Sequence, residues 1–300
     1  MRRFIIKVIL FVLPAVLVLS GMELLMRHIP NSYRQKYEWM SEHGGDVQTL
    51  ILGNSHGVFG IKPDMLGTSA YNLCNVSQTF EYDDFLLRHF YPLCKQLKTV
   101  ILVVDHSNFF DPPLEDGEPY RCIYYRLYMH YPKHALFSRY GFELADVTAA
   151  RKKVQNWYKN KHIPYDHLGW NTSYRKECRR ASDLTDDNAR KTVLRHHQHG
   201  LKYVEDNKAS LFSIAAFCQQ NHLRLILLQT PVLSAYNRAI EFVYDDALQK
   251  SLLACKEQYG AVIADYSADQ RFSYDDLFDA DHLNHEGAEK LSAILRTLIP

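Results

Sequence analysis

The chain is expected to be an α/β protein whose parallel sheet is covered by helices on both faces, and three observations predict it. Short, continuous apolar runs recur near residues 50, 102 and 226, as in strands buried on both sides. Segments with helical spacing alternate with them. Each run closes on a glycine, a proline or a polar turn residue.

The 300 residues suit one large domain, or one domain with an insertion. A content of 47% hydrophobic, 23% charged and 13% aromatic residues is that of a folded globular protein. A net charge of +1 and the lack of a long basic run argue against a nucleic-acid partner. There is no internal repeat, no low-complexity tract and no glycine-rich phosphate loop. The 20 tyrosines suit either a contact surface or a packed core.

Residues 1–28 read as a membrane anchor. Arg2 and Arg3 precede an apolar stretch from Phe4 to Met26, broken by Lys7 and Glu23. Val8–Met22 alone is short of the about 20 residues that a bilayer requires, and Phe4–Ile6 complete it if Lys7 snorkels. The leading positive charges put the N-terminus in the cytoplasm and the rest of the chain outside, periplasmic or at the cell surface. A cleaved signal peptide is the competitor, but no small-x-small cleavage site is evident. Leu19-Ser20-Gly21 resembles the start of a lipoprotein box, yet Met22 stands where the lipidated cysteine belongs. Six cysteines in an exported domain permit disulfides, but none has metal-site spacing and no pairing is predicted.

Residues 29–46 read as a polar connector. Strands are then expected at 47–53, 70–74, 99–104, 223–229 and 261–265. Helices are expected at 81–97, 210–221, 240–259 and 286–298. The segment from about 111 to 206 is too long for an ordinary connection and is expected to be an inserted subdomain. It is rich in Tyr, His, Lys and Arg, with helices expected at 139–160 and 184–204. Its aromatics, Tyr124, Tyr125, Tyr128, Tyr131, Trp157 and Trp170, suit stacking on sugars and a small core equally well.

Two clusters carry chemistry. Gly53-Asn54-Ser55-His56 ends the first strand, where parallel sheets present their ligands. Ser55 there can expose its hydroxyl, which needs a base to become a nucleophile. Asp279-Ala280-Asp281-His282 follows the last strand. An Asp three residues before a His can turn back to hold the imidazole and stabilise its cation. Ser55, Asp279 and His282 are therefore the candidate catalytic residues, Asp279 being preferred because Asp281, one residue from His282, points elsewhere. The plain alternatives are a helix cap for Ser55 and turn roles for Asp279 and His282. His285 and His56 read as bystanders, with lining the pocket as the alternative for His56. His196-His197-Gln198-His199 lacks matching metal ligands and reads as a solvated helix end.

Together the two clusters resemble the SGNH (GDSL-like) hydrolases over roughly 47–110 and 210–300. Gly53-Asn54-Ser55 is similar to the family's first block, with Asn54 where Asp is more usual. Asp279-x-x-His282, with Leu283-Asn284 and Gly287-Ala288, is similar to its last. The resemblance implies a three-layer, flavodoxin-like sandwich with about five parallel strands. It also implies an oxyanion hole completed by a Gly and an Asn. Asn108 falls where that Asn would be, although strand-end Asn is also a common turn former. The Gly is missing from Asn72–Gln78, where Ser77 or Asn75 would donate instead. The implied chemistry is acyl transfer through an acyl-Ser55 intermediate, with no cofactor and no metal. Water as acceptor makes an esterase, and a sugar hydroxyl makes an O-acyltransferase.

An anchor joined to such a domain is similar to envelope proteins of alginate acetylation and teichoic acid D-alanylation. That likeness implies a carbohydrate or other acyl-ester substrate and a multi-span membrane acyl carrier as partner. The rival is an inactive scaffold that binds a glycan or a membrane partner.

Overall fold

The five strands form one parallel sheet in the order β2-β1-β3-β4-β5 in a computed structural model that describes residues 1–134 and 138–300. They are β1 (Thr49–Leu52), β2 (Ala70–Asn72), β3 (Thr99–Val103), β4 (Arg224–Gln229) and β5 (Val262–Asp265). Each lies within a strand expected from sequence. β1, β2 and β3 are wholly buried, which is why their sequences show no polar alternation. β5 is the less buried edge.

Side chains alternate across the sheet. Ile51, Ile101, Val103, Ile226, Leu228 and Ala264 share one core cluster with Val58, Phe59, Leu291 and Leu295, which come from the helices Ser55–Gly60 and His285–Leu295. The helices Phe80–Phe90 and Phe242–Tyr259 both pack against Val204–Gln220. With the opposite strand faces they supply the third layer. From β1 the chain turns to β2 on one side and then to β3 on the other. The gap between the ends of β1 and β3 is therefore the topological switch point, where this strand order places ligands.

Two expectations change. The polar connector carries the helix Ser32–His43, because its long polar residues favour a helix once its apolar positions are covered; Met40 is fully buried. The expected insertion 111–206 does not act as one body, and its residues 135–137 lie outside the described residues. Residues 118–163 form a compact unit with 1–37, whereas 164–300 join 38–117. Residues after 163 pack on the sheet. The Leu168 carbonyl accepts from the N–H of Asn72 at 2.9 Å, and the Trp170 indole donates to the Phe59 carbonyl at 2.8 Å.

Within the first unit, Tyr33 packs on Tyr124 and Tyr125 at 5.2 and 5.0 Å between ring centres. Tyr125, Tyr128 and Tyr131 are buried. These buried tyrosines serve as core, whereas Tyr124 is half-buried. Among the described residues one helix, Arg2–His28, is long and apolar enough to cross a membrane, its most apolar 18-residue window having a mean hydropathy of 2.6. No disulfide joins the six cysteines, all of which are described.

Candidate active site

β1 is followed by Gly53, whose φ of +127° is a conformation that glycine alone adopts freely. A side chain there would meet Val103 Cβ at 2.7 Å, so the chain can turn sharply only without one. Asp83 holds the turn by accepting the Gly53 N–H at 2.8 Å and the Gln78 amide. Asn54 then caps the helix Ser55–Gly60, its Oδ1 accepting the His56 N–H at 3.0 Å. Ser55 is thus the first helical residue rather than the cap, and it stays half-exposed.

The other cluster sits on a clamped loop. Leu277 and Leu283 pair as an antiparallel bridge, and both are buried. Asn284 caps the following helix by accepting the Gly287 N–H at 3.0 Å, and its amide donates to the carbonyl of Leu277 at 3.2 Å. Gly287 is required because a Cβ there would lie 2.1 Å from the Asp276 carbonyl oxygen. Between the leucines, Asp279 Oδ1 accepts the N–H groups of Asp281 and His282 at 3.1 and 2.9 Å. This turn presents the imidazole of His282 toward β1.

The structure brings Ser55, His282 and Asp279 together. His282 Nε2 lies 2.9 Å from Ser55 Oγ, and its Nδ1 lies 2.9 Å from Asp279 Oδ1. Asp281 does not point elsewhere. The turn at Asp279 folds the chain back, so Asp281 Oδ1 lies 3.3 Å from the same Nδ1. Burial alone would depress His282, but the carboxylates of Asp279 and Asp281 hold its pKa well above the ordinary 6.5.

His56 is more than a lining residue. It is buried, with Nδ1 2.5 Å from Asp105 Oδ2 and Nε2 3.2 Å from Asp281 Oδ2. Burial opposes its charge, yet Asp105 and Asp281 push its pKa up to about 9. Asp105 is likewise held well below the usual carboxylate range, against its burial, by the His56 cation and the Ser107 hydroxyl. The Asn54 amide also donates to Asp105, at 3.3 Å. This explains the amide at position 54, since a carboxylate there would face Asp105 with like charge.

His196 and His197 are not solvated. Both are buried, with His196 Nδ1 on the Tyr236 hydroxyl at 2.7 Å and Nε2 3.6 Å from Asp281. Burial depresses His196 to about 4 and His197 to about 3. His285 is apart from the triad, against the Trp170 ring at 4.6 Å.

Of the three expected oxyanion residues, Asn108 and Asn75 fall differently. Asn108 is spent on its own turn. Its amide donates to the Val103 carbonyl at 2.9 Å, and its Oδ1 accepts the Asp105 N–H at 3.0 Å. It takes the turn-forming role, because the β3 end needs both bonds to close. The Asn75 N–H donates to the Gly53 carbonyl at 3.2 Å, and its amide to Gln78 at 2.9 Å, so neither is aimed at Ser55. Ser77 holds φ +58°, the left-handed conformation that a glycine would favour, so the turn keeps its shape without the missing glycine.

His56, Asp281 and His282 each offer a ligand atom within 4.8 Å of the others, a spacing that suits a metal ion. The donor chemistry fits poorly, because a ligand imidazole must be neutral and carboxylates favour the cation of both histidines.

Asp83, under the Gly53 turn, gives a stability prediction. Burial pushes its pKa up to about 7, above the ordinary 3.8, despite the two bonds it accepts, and its Oδ2 has no partner. The cost of ionising it grows as pH rises from 3.8 to about 7 and is full above that. Asp83→Asn keeps an Oδ1 for both donors and removes the charge. Its urea midpoint is expected to exceed that of wild type near pH 8, with the gap closing toward pH 4. An equal or lower midpoint at pH 8 would contradict this.

No protein-family model matches the chain, and no curated protein sequence matches it. Three solved structures are similar to it. One is a protein provisionally described as an acylhydrolase from Bacteroides fragilis. It is 11% identical, with 90% of this chain and 97% of that chain covered and a TM-score of 0.44. A GDSL-like lipase from Bacteroides thetaiotaomicron is 10% identical over 88% and 97% of the two chains, with a TM-score of 0.43. A lipase/acylhydrolase from Enterococcus faecalis is 13% identical over 84% and 95%, with a TM-score of 0.37.

Proposed function

We propose that this chain is an SGNH-type serine hydrolase that cleaves acyl esters through an acyl-Ser55 intermediate. The observation that carries the proposal is the continuous line Ser55 Oγ, His282 Nε2, His282 Nδ1, Asp279 Oδ1, with 2.9 Å at each hydrogen bond. It joins two segments 227 positions apart at the switch point of the sheet.

Ser55 Oγ attacks the acyl carbonyl while His282 Nε2 takes its proton. Asp279 and Asp281 stabilise the imidazolium that forms. Collapse of the tetrahedral intermediate breaks the ester bond, and the leaving alcohol takes the proton back from His282. Water, activated by the same imidazole, then releases the acid; a sugar hydroxyl in its place yields an O-acylated glycan. The oxyanion donors are the main-chain N–H of Ser55, which has no intrahelical acceptor in the first turn, and that of Ser77, whose turn is tied to Gly53 through Asn75.

The substrate is an acyl group on an envelope or exported polysaccharide. The supports are the helix Arg2–His28, read as an anchor, and the arginines before its apolar stretch, which favour an extracytoplasmic domain. A multi-span membrane acyl carrier would supply or receive the acyl group.

The test is hydrolysis of p-nitrophenyl acetate by the full chain. A burst of nitrophenol equal to the enzyme present is expected, followed by slower turnover. Because His282 must be neutral to accept the proton and its pKa is raised, kcat/KM is expected to climb with pH above the range of an ordinary histidine. Asp281→Asn removes one of the carboxylates that raise it and is expected to move this climb to lower pH. A folded protein with neither burst nor turnover across the range would overturn the proposal.

A further inference from the structure

We infer that the helix Val147–Asn160 lies on the surface of an anionic lipid bilayer, where the apolar helix Arg2–His28 leaves it. The inference rests on reading that apolar helix as a membrane anchor.

Both helices belong to the same compact unit. Glu23 is the first charge after the uninterrupted apolar stretch Val8–Met22. Its carboxylate accepts the N–H groups of Glu143 and Leu144 at 3.0 and 3.1 Å. Arg27 donates to the Gly141 carbonyl at 2.9 Å. Lys153 Nζ donates to the Met26 carbonyl at 3.1 Å and is paired with buried Glu143. The segment 141–153 is thus tied at both ends to Glu23–Arg27. Those residues lie within about 8 Å of the end of the apolar stretch, at 1.5 Å of rise per residue. A bilayer crossed by that stretch would have its surface at this level.

The helix is built for such a surface. Val147, Val154 and Tyr158 fall within about 40° of one another around its axis. They are 73%, 45% and 75% exposed, an apolar stripe left largely open, with the Lys161 ammonium 4.7 Å from the centre of the Tyr158 ring. Phe142, just before the helix, is 42% exposed. Ala150 is buried and Lys153 is engaged, so the stripe is not the face by which the helix packs on its own unit. Basic residues border it. Arg151, Lys152, Lys159 and Lys161 are free of that packing, whereas Lys153 is paired with Glu143, and no acidic residue occurs between 147 and 161. An apolar stripe beside a wholly basic rim is the pattern of a helix lying in the plane of an anionic membrane surface.

The full chain, carrying Cys178→Ser to remove the exposed cysteine, can be labelled with an environment-sensitive fluorophore at introduced cysteines. The sites are Val154→Cys and Tyr158→Cys on the stripe, Leu13→Cys in the anchor and Glu257→Cys on the sheet unit. The protein is reconstituted in phosphatidylcholine vesicles with and without phosphatidylglycerol, and lipids spin-labelled at a shallow depth serve as quenchers for 154, 158 and 257, with lipids spin-labelled near the acyl-chain end for 13. Labels at 154 and 158 are expected to emit further to the blue than that at 257. They are also expected to lose fluorescence to the quencher, and more so with phosphatidylglycerol. Quenching at 13 with behaviour at 154 and 158 like that at 257 would overturn the surface and leave the anchor standing. No quenching at 13 would overturn both. Equal quenching with and without phosphatidylglycerol would overturn the selection of anionic lipid.

Discussion

Ser55→Ala is expected to lower kcat for ester hydrolysis by about three to six orders of magnitude and to leave folding intact. The magnitude follows from the proposed role of Ser55, whose Oγ would bond to the substrate. Without it, only binding and oxyanion stabilisation remain. Folding is spared because Ser55 is half-exposed and the helix is capped by Asn54 rather than by Ser55. His282→Ala is expected to cost a similar factor, and the double variant no more than either single one, since the two act as a unit. Steady-state rates with urea melts on the same preparations check this. A double variant much slower than both would show that Ser55 and His282 contribute separately.

His56→Gln is expected to destabilise the protein by about 3–5 kcal/mol at pH 6, the usual cost of leaving a buried charge without its partner. Asp105 and Asp281 would then face each other's field in a buried site without the cation between them. The pH dependence distinguishes this from a simple packing defect. The folded pKa of His56, about 9, is raised above the ordinary 6.5. Its stabilising contribution is therefore fully present below about 6.5 and lost as pH rises through about 9. The stability gap between wild type and His56→Gln should be widest near pH 6 and shrink above pH 9. A gap that does not change with pH would mean that His56 acts only by filling space. The same variant should move the climb of kcat/KM to higher pH, opposite to Asp281→Asn, because a positive charge beside His282 is lost. His56 is thus a positioning residue: it holds Asp281 at the imidazole and offsets the second carboxylate there.

The strands and the nucleophile turn were legible because each leaves a local mark. Leu50–Leu52 and Val100–Val103 are continuous apolar runs, and Gly53 marks a turn that a side chain would block. The loop from Asp279 to His282 was legible in its spacing. The part played by Asp281 was not, because the preference for Asp279 assumed neighbours that alternate sides. The turn closed by Asp279 Oδ1 on two successive N–H groups breaks that alternation. The helix Asp186–His196 did carry an unread signal. Ala189, Thr192, Val193 and His196 follow the i, i+3, i+4, i+7 spacing, which puts His196 on the buried face. The contacts of His56 with Asp105 and Asp281 join three separate strand ends, and no local pattern encodes them. Asn108 stayed open between two roles for a related reason. A strand-end Asn has the same local sequence whether its amide closes the turn or faces a substrate, and only the packing of β3 decides.

The central claim is that Ser55 is an activated nucleophile, and covalent labelling tests it most directly. The full chain in detergent would be treated with a fluorophosphonate and its intact mass measured, beside Ser55→Ala and His282→Ala. One adduct on the wild type, absent from both variants, is the predicted result. A folded wild type that takes no adduct, or a Ser55→Ala variant that still takes one, would contradict it.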